Sequence, residues 1–117
     1  MARYVDGFLL AVPKKKIAAY KAIASKAGKV WREHGALEFV ETVIDEVPNG
    51  MGRAFPQVAK VKPGEVVVFS WITYKSKAHR NAVNKKVMAD PRLQGPDDMP
   101  FDHKRMSWGG FTVLVDL

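Results

Sequence analysis

Hydrophobic residues are most concentrated at residues 66–74 (VVVFSWITY), an almost unbroken apolar run that predicts a strand covered on both faces. The run leads into a segment from Ser76 to Asp90, which predicts a helix with Ser76 as its cap and Pro91 as its stop. Helices can cover one face of this strand. A chain of 117 residues can hardly cover the other face alone, so we expect a partner subunit there.

The N-terminal part repeats this arrangement of a strand followed by a helix. Tyr4 to Val12 is apolar apart from Asp6 and ends at Pro13, which suits the first turn of a helix. The helix is expected to run from Lys14 to His34 and to stop at Gly35. Its inward stripe consists of residues spaced by three and four positions: Ile17, Tyr20, Ala24, Ala27, Trp31 and His34.

Two further strands are predicted, one in the middle of the chain and one at its end. Leu37 to Val47 mixes acidic and apolar residues, as an edge strand would. The connection from Pro48 to Gly64 is long for a hairpin and indicates a flap over a site or an arm onto a partner. After an irregular piece from Gln94 to Pro100, Met106 to Leu117 predicts the last strand, in which Gly109-Gly110 indicates a bulge or a close backbone approach.

The predicted order is strand, helix, strand, strand, helix, strand, which is the ferredoxin-like pattern. The expected fold class is therefore α+β, with an antiparallel sheet covered by two helices on one face, and residues 1–117 form one domain. The other face of the sheet is also expected to be apolar. Packing of that face against a second copy would bury it, so we expect a homodimer.

Composition excludes several classes of function. The chain has no cysteine, which rules out disulfides, thiolate metal sites and cysteine nucleophiles. No apolar stretch is long enough to span a membrane and the first residues do not resemble a signal peptide, so we expect a soluble, cytoplasmic protein. The net charge of +7 is scattered over many short clusters, and no phosphate loop or dinucleotide fingerprint is present.

Four blocks of the sequence resemble the YbaA-like proteins, a family of unknown function within the dimeric α+β barrel superfamily: YVDGF at 4–8, WREHGALEF at 31–39, VVFSWITYKSKAHRNAVNKKVMADPR at 67–92 and MPFDHKRMSWGGF at 99–111. The resemblance covers nearly the whole chain and implies a ferredoxin-like homodimer. Relatives in the superfamily include cofactor-independent monooxygenases, haem-binding enzymes and small-molecule isomerases, with a pocket in each half of the barrel.

Four residues form the candidate catalytic group, because the predicted topology brings them to one end of the domain: Asp6, His34, Tyr74 and His79. His34 ends its helix, where the dipole favours protonation, whereas His79 lies in a first helical turn and is expected to be neutral. One protonated and one neutral imidazole beside a carboxylate could act as acid and base. The alternative is structural: the histidines cap or pack, and Asp6 forms an ion pair or a dimer contact.

A ligand site is predicted from aromatic residues and one cation, namely Trp31, Trp71, Trp108 and Arg105. Core packing or a dimer interface is the alternative for the aromatic residues, and a surface position is the alternative for Arg105. We expect no bound cofactor. We also expect no metal, because the histidines lack the spacing of a ligand motif, although Asp6, His34 and His79 would suit a site with two histidines and one carboxylate.

The leading functional hypothesis is a homodimer that binds a small organic molecule between sheet and helices, as a cofactor-independent monooxygenase or an isomerase. A second hypothesis is a non-catalytic structural or stress-related interaction module. A third is RNA binding through the basic surface. Some YbaA-like proteins are described as binding the RNA of the signal recognition particle. The residues themselves support that description only through their charge.

Overall fold

The computed structural model describes residues 2–48, 50, 52–93 and 99–117, and within them the predicted order of the main elements is confirmed. The helices and strands of these residues are β1 (Tyr4–Pro13), α1 (Ile17–Glu33), β2 (Glu38–Val43), α2 (Phe55–Val58), β3 (Glu65–Tyr74), α3 (Lys77–Met88) and β4 (Ser107–Thr112). Single turns of 3-10 helix lie at Lys14–Lys16, Pro91–Leu93 and His103–Arg105.

The four strands form one antiparallel sheet in the order β2-β3-β1-β4, with α1 and α3 on one face. The ferredoxin-like α+β fold predicted from the pattern is therefore confirmed. The long central strands β1 and β3 pair along their whole length, from Tyr4 opposite Tyr74 to Pro13 opposite Glu65. The shorter strands β2 and β4 lie at the two edges.

The predicted helix signals act as expected. The Ser76 side chain accepts a hydrogen bond from the backbone N–H of His79 (3.1 Å) and so caps α3. Gly35 follows α1 with φ of +115°, a conformation that favours glycine, and it ends the helix where predicted. Beyond it the Ala36 N–H bonds back to the Trp31 carbonyl (3.0 Å), which directs the chain toward β2.

The strand predicted to reach Val47 ends instead at Val43. The backbone N–H of Ile44 still donates to the Val67 carbonyl (2.9 Å), but the pairing stops there. Acidic residues follow, and Pro48 lacks the N–H that a sheet ladder requires. The apolar residues of this segment therefore continue beyond the last residue that pairs with β3.

The strand predicted to reach Leu117 ends at Thr112. One more hydrogen bond joins the Val113 N–H to the Arg3 carbonyl (3.0 Å). Since β1 begins at Tyr4, no strand of the described residues lies beside residues 114–117, and they are exposed. The apolar tail is therefore not part of the sheet.

The two glycines of β4 permit a close approach rather than a bulge. Pairing with β1 is continuous from Ser107 to Thr112. A Cβ atom on Gly110 would lie 2.8 Å from ring carbons of Tyr4 and would overlap its hydroxyl. A Cβ atom on Gly109 would make an ordinary contact at 3.6 Å with the ring of Phe111. Gly110 thus creates the space that Tyr4 fills.

The core between sheet and helices consists of two clusters. One contains Tyr4, Val30, Ala36, Ile72, Tyr74, Val83 and Val87, and the other contains Leu10, Val12, Tyr20, Ala24 and Val68. Phe8 packs against both clusters. The interior is therefore divided along β1, and the candidate site lies at this division.

The opposite face of the sheet is apolar and partly covered by the chain itself. Within the long connection, α2 packs over β3, with the rings of Phe55 and Phe69 6.0 Å apart and Ala59 and Val67 buried. Trp71 continues this surface at 5.8 Å from Phe69. The predicted flap or arm therefore lies on the face away from α1 and α3 and does not close the site between sheet and helices.

Candidate functional site

A cavity of about 370 Å³ lies between the sheet and the helices α1 and α3. Its walls are mainly aromatic or sulfur-containing, and they include Phe8, Trp31, Phe39, Met88, Phe101 and Trp108. A smaller set of polar residues lines it from the strands, from α3 and from the segment before β4: Asp6, Glu41, Ser70, Tyr74, Asn84 and His103. Apolar walls with few polar groups are typical of sites for small organic molecules.

Asp6 is the most unusual polar residue of this cavity. It lies on β1 opposite Ile72 and Gly110, and it is only 2% exposed. Its Oδ1 atom is buried without a hydrogen-bond partner, and the nearest cationic atom is Nη1 of Arg80 at 3.7 Å. Burial raises the pKa of Asp6 above its ordinary value, against the opposing effects of Arg80, Asn84 and Tyr74. A buried carboxylate oxygen without a hydrogen-bond partner lowers the stability of the fold, and it can accept a hydrogen bond from a ligand.

Asn84 joins the two helices to the sheet beside Asp6. Its Oδ1 accepts hydrogen bonds from Nε1 of Trp31 (3.1 Å) and from the hydroxyl of Tyr74 (3.1 Å). Because the indole N–H can only donate, these contacts fix which way the amide group faces. Burial and then the charge of Asp6 raise the pKa of Tyr74, so its hydroxyl stays protonated at neutral pH.

Arg80 is held by an aromatic residue as well as by the carboxylate. Its guanidinium lies 4.9 Å from the centre of the Tyr4 ring and donates to the Tyr4 hydroxyl (3.2 Å). Its Nε atom is buried without a partner. The charge of Asp6 is therefore only partly compensated, because Arg80 is shared with Tyr4 and does not form a short ion pair.

A second carboxyl group reaches the cavity from β2. Glu41 lies opposite Ser70, and its Oε1 accepts a hydrogen bond from the hydroxyl of Tyr20 at 2.7 Å. Burial raises the pKa of Glu41, and it also raises that of Tyr20. Sequence reasoning missed Glu41. The sequence did indicate it, because Phe39, Glu41 and Val43 are spaced by two positions and therefore share one face of the strand.

The two predicted catalytic histidines lie at helix ends and have their own partners. Nε2 of His34 is 2.7 Å from Oδ2 of Asp90, which is also held by Arg92. Nδ1 of His79 accepts a hydrogen bond from the Lys75 backbone N–H (3.0 Å). Burial and then the charge of Lys75 lower the pKa of His79, which is the direction expected from its position.

The predicted catalytic group is thus divided. Asp6 and Tyr74 share the cavity, whereas His34 is bound to Asp90 and His79 lies edge-on behind Tyr74, with ring centres 6.0 Å apart. Among residues 2–48, 50, 52–93 and 99–117 no three His, Asp or Glu side chains come together in a group that could hold a metal ion.

The predicted ligand residues are divided in the same way. Trp31 and Trp108 line the cavity, and Trp108 stacks on Phe8 with ring centres 6.2 Å apart. Trp71 also borders the cavity, but it alternates with Ser70 and Ile72 along β3, and its ring packs beside Phe69 on the opposite face of the sheet.

Arg105, the predicted ligand cation, contacts the segment before β4 and the start of β3. Its Nη1 and Nη2 atoms donate to the two oxygens of Glu65, at 2.6 and 2.7 Å, and its Nε atom donates to Asp102. Nη1 also donates to the Lys60 carbonyl (3.1 Å). These contacts attach the segment that carries Phe101 to the start of β3.

No helix in the described parts of the chain combines the length and the apolar character needed to cross a membrane. The structure is similar to the crystal structure of a dimeric ferredoxin-like protein from an uncultured marine organism, with a TM-score of 0.64, 12% identity and full coverage of both chains. It is also similar to an uncharacterized NIPSNAP domain protein from Burkholderia xenovorans, with a TM-score of 0.56, 15% identity and coverage of 95% of this chain and 94% of that one. At these identities the likeness concerns the fold alone.

The sequence comparisons are closer. The chain is 47% identical over 115 residues to the uncharacterized protein YbaA of Escherichia coli strain K12, which covers 97% of this chain and 98% of that protein, and it matches YbaA of Shigella flexneri equally well. Residues 3–103 match the model of DUF1428, described as a protein of unknown function. The chain therefore belongs to the DUF1428 family.

Proposed function

We propose that this protein is a cytoplasmic homodimer that binds a small aromatic molecule in the cavity between sheet and helices. The observation that carries the proposal is the Oδ1 atom of Asp6, which is buried at the wall of the cavity without a hydrogen-bond partner. A fold that kept this carboxylate only for structure would satisfy it internally, because an unsatisfied buried acceptor costs about 1 to 3 kcal/mol. A bound donor removes that cost.

The size and the walls of the cavity indicate the type of ligand. Sites for organic ligands range from about 300 to 1,000 Å³, and 370 Å³ is near the lower limit of that range. Such a volume suits a molecule of one or two rings. The indoles of Trp31 and Trp108 and the ring of Phe8 offer flat surfaces on which it can stack.

The proposed chemistry is proton transfer without a cofactor, as in an isomerase or in the first step of a cofactor-independent monooxygenase. Asp6 is the candidate base because burial raises its pKa toward the working pH, where a general base is most effective. The Tyr74 hydroxyl stays protonated, and by rotating away from Oδ1 of Asn84, which it contacts at 3.1 Å, it can donate to the oxygen on which negative charge develops. His79 would act only through Tyr74, behind which it lies.

Dimerisation is proposed from the opposite face of the sheet. Phe69 and Phe111 are 44% and 59% exposed there; Phe69 lies beside Trp71, and the ring of Phe111 lies by Gly7, which is opposite Trp71 in the sheet. Apolar side chains so close together on a sheet face mark an interaction surface. The dimeric state of the ferredoxin-like protein from the marine organism supports the same arrangement here.

The interaction module remains the competing function, and a binding experiment separates the two. Equilibrium dialysis of the purified protein against 2-naphthol, a neutral two-ring phenol, should give one saturable site per chain. Ala27 lines the cavity, so Ala27→Trp should fill it and abolish binding. Asp6→Asn should weaken binding about tenfold or more, as expected for loss of a hydrogen bond to a charged group. Asp116→Asn, at an exposed ion pair with Arg3, is the matched control.

Catalysis has its own test with 2-tetralone, a two-ring ketone with an acidic methylene group. Nuclear magnetic resonance follows its exchange of hydrogen for deuterium in heavy water. We expect the folded protein to accelerate this exchange and Asp6→Asn to abolish the acceleration, with Asp116→Asn unchanged. Binding without acceleration would favour the non-catalytic module, and no binding of 2-naphthol by the folded wild-type protein would contradict the proposed function.

A further inference from the structure

We propose that the ligand carries a hydrogen-bond donor at each end and no negative charge, because two carboxyl groups, Asp6 and Glu41, face the cavity from opposite ends. This inference rests on the proposed function and specifies the chemical class of molecule that the site accepts. The geometry of the sheet, the hydrogen bonds of the two carboxyl groups and the charge of the cavity wall each support it.

The sheet register separates the two carboxyl groups by the length of a small ring system. Asp6 lies opposite Ile72, Glu41 lies opposite Ser70, and all four residues share one face of the sheet. Since β3 lies between β1 and β2, the two Cα atoms are roughly 10 Å apart across the sheet and roughly 7 Å apart along it, or about 12 Å in all. One hydrogen bond of about 2.8 Å at each end leaves a span that fits donors at opposite ends of one or two fused rings.

Both carboxylates need donors from the ligand. An ionised carboxyl group only accepts hydrogen bonds, and it has about four lone-pair positions. Oδ1 of Asp6 has no partner, and Glu41 accepts from the Tyr20 hydroxyl on Oε1 and interacts with the Ser70 hydroxyl, which leaves lone-pair positions on both carboxyl groups. A hydroxyl, amino or amide N–H group at each end of the ligand would satisfy both sites.

The charge of the cavity is opposite to that of the protein as a whole. The chain carries a net charge of +7, which taken alone would suggest an anionic ligand. The described residues that line the cavity include two acids, one histidine (His103) and no lysine or arginine, and the guanidinium of Arg80 is already engaged by Asp6 and Tyr4. A carboxylate or phosphate in the cavity would face like charges in a poorly solvated space, which raises the free energy of its complex.

Three matched naphthalene compounds test this inference by equilibrium dialysis at neutral pH: 2-naphthol, 2,6-dihydroxynaphthalene and 6-hydroxy-2-naphthoate. We expect the diol to bind at least tenfold more tightly than 2-naphthol, because the second hydroxyl gains a hydrogen bond to a charged group. The naphthoate, which has a carboxylate in place of that hydroxyl, should bind at least tenfold more weakly than 2-naphthol.

Glu41→Gln tests the second end of the site. Glutamine keeps an acceptor for the Tyr20 hydroxyl but loses the negative charge, so the advantage of the diol over 2-naphthol should disappear. Glu38→Gln is the control, because Glu38 lies on the same strand with its side chain on the other face, where it accepts from Thr73 (2.9 Å). That variant should keep the advantage of the diol.

The outcomes distinguish the two proposals. If 2-naphthol binds but the diol binds no more tightly, or if the naphthoate binds best, the requirement for two donors is wrong and the binding function stands. If the diol advantage survives Glu41→Gln, the second donor site is assigned to the wrong residue and the inference is overturned. If none of the three compounds binds to the folded protein, the proposed function fails and the inference fails with it.

Discussion

Replacing Glu65 by glutamine tests whether an ion pair at the start of β3 holds the segment that covers the cavity. Arg105 donates to both carboxylate oxygens of Glu65, at 2.6 and 2.7 Å, and the two side chains are only 16% and 11% exposed. This bidentate geometry is the strongest form that an arginine-carboxylate pair takes. Phe101, Met99 and Met106 pack on the core from this segment, so loss of the pair should loosen one wall of the cavity.

The pKa of Glu65 gives the expected magnitude. Hydrogen bonds from Arg105 and from the Lys62 backbone lower it from 4.5 to about 2, which corresponds to about 3 kcal/mol of preference of the fold for the ionised form. Because part of each side chain still contacts water, solvent screening reduces the expected effect to about 2 kcal/mol. A carboxylate with a lowered pKa stabilises the fold above its unfolded pKa, and this contribution is lost as the pH falls toward the folded value.

Urea denaturation followed by tryptophan fluorescence provides the measurement. At pH 7 we expect Glu65→Gln to lower the free energy of unfolding by about 2 kcal/mol, and between about pH 4.5 and pH 2 the difference from wild type should shrink. Asp45→Asn removes a charge from an exposed residue and should change stability little. An unchanged unfolding midpoint at pH 7, or a loss of equal size at pH 7 and pH 2.5, would refute this account of the ion pair.

Other predictions concern the glycines, the dimer and RNA. Gly110→Ala should destabilise the fold by about 1 to 3 kcal/mol in thermal denaturation, because its Cβ would overlap Tyr4. Gly109→Ala, the control, should destabilise the fold less. Equal losses of stability in the two variants would contradict the close approach of Tyr4 to Gly110. If the proposed dimer forms through the open face of the sheet, Phe111→Asp should convert it to monomer in sedimentation experiments, and Leu117→Asp, outside the sheet, should not. If the basic surface binds RNA, binding should weaken steeply as salt rises from ~50 to ~200 mM, and absence of binding at ~50 mM salt would contradict the RNA hypothesis.

The sequence predicted the elements of the fold well because their signals are local. The cap at Ser76, the stop at Gly35 and the apolar run of β3 each act within a few residues, and each lies in the structure where the pattern indicated. Strand ends depend on a partner strand. The apolar residues beyond Val43 and Thr112 therefore predicted more strand than pairing allows.

The site was predictable only in part, because its residues meet through the sheet register. A shift of one residue would turn Asp6 to the opposite face, and the pattern alone does not fix that choice. The sheet register also explains why Glu41 was not predicted. Glu41 reaches the cavity because β2 pairs with β3 so that Glu41 lies opposite Ser70. His34 was grouped with Asp6 by topology, but its partner, Asp90, lies just beyond α3, and helix packing decides that contact.

The position of β1 in the middle of the sheet has a consequence for how the protein is made. The first strand of the chain is paired on one side with β3 and on the other with β4, the last strand, and it carries Asp6 between them. During synthesis β1 leaves the ribosome first, but β3 and β4, the strands that pair with it, are synthesised much later. Contacts between distant parts of a chain form slowly, and exposed strand edges favour aggregation meanwhile. Trp108 belongs to this last strand, so the cavity wall is completed only after translation has delivered Ser107–Thr112, and products truncated before Ser107 should lack this wall.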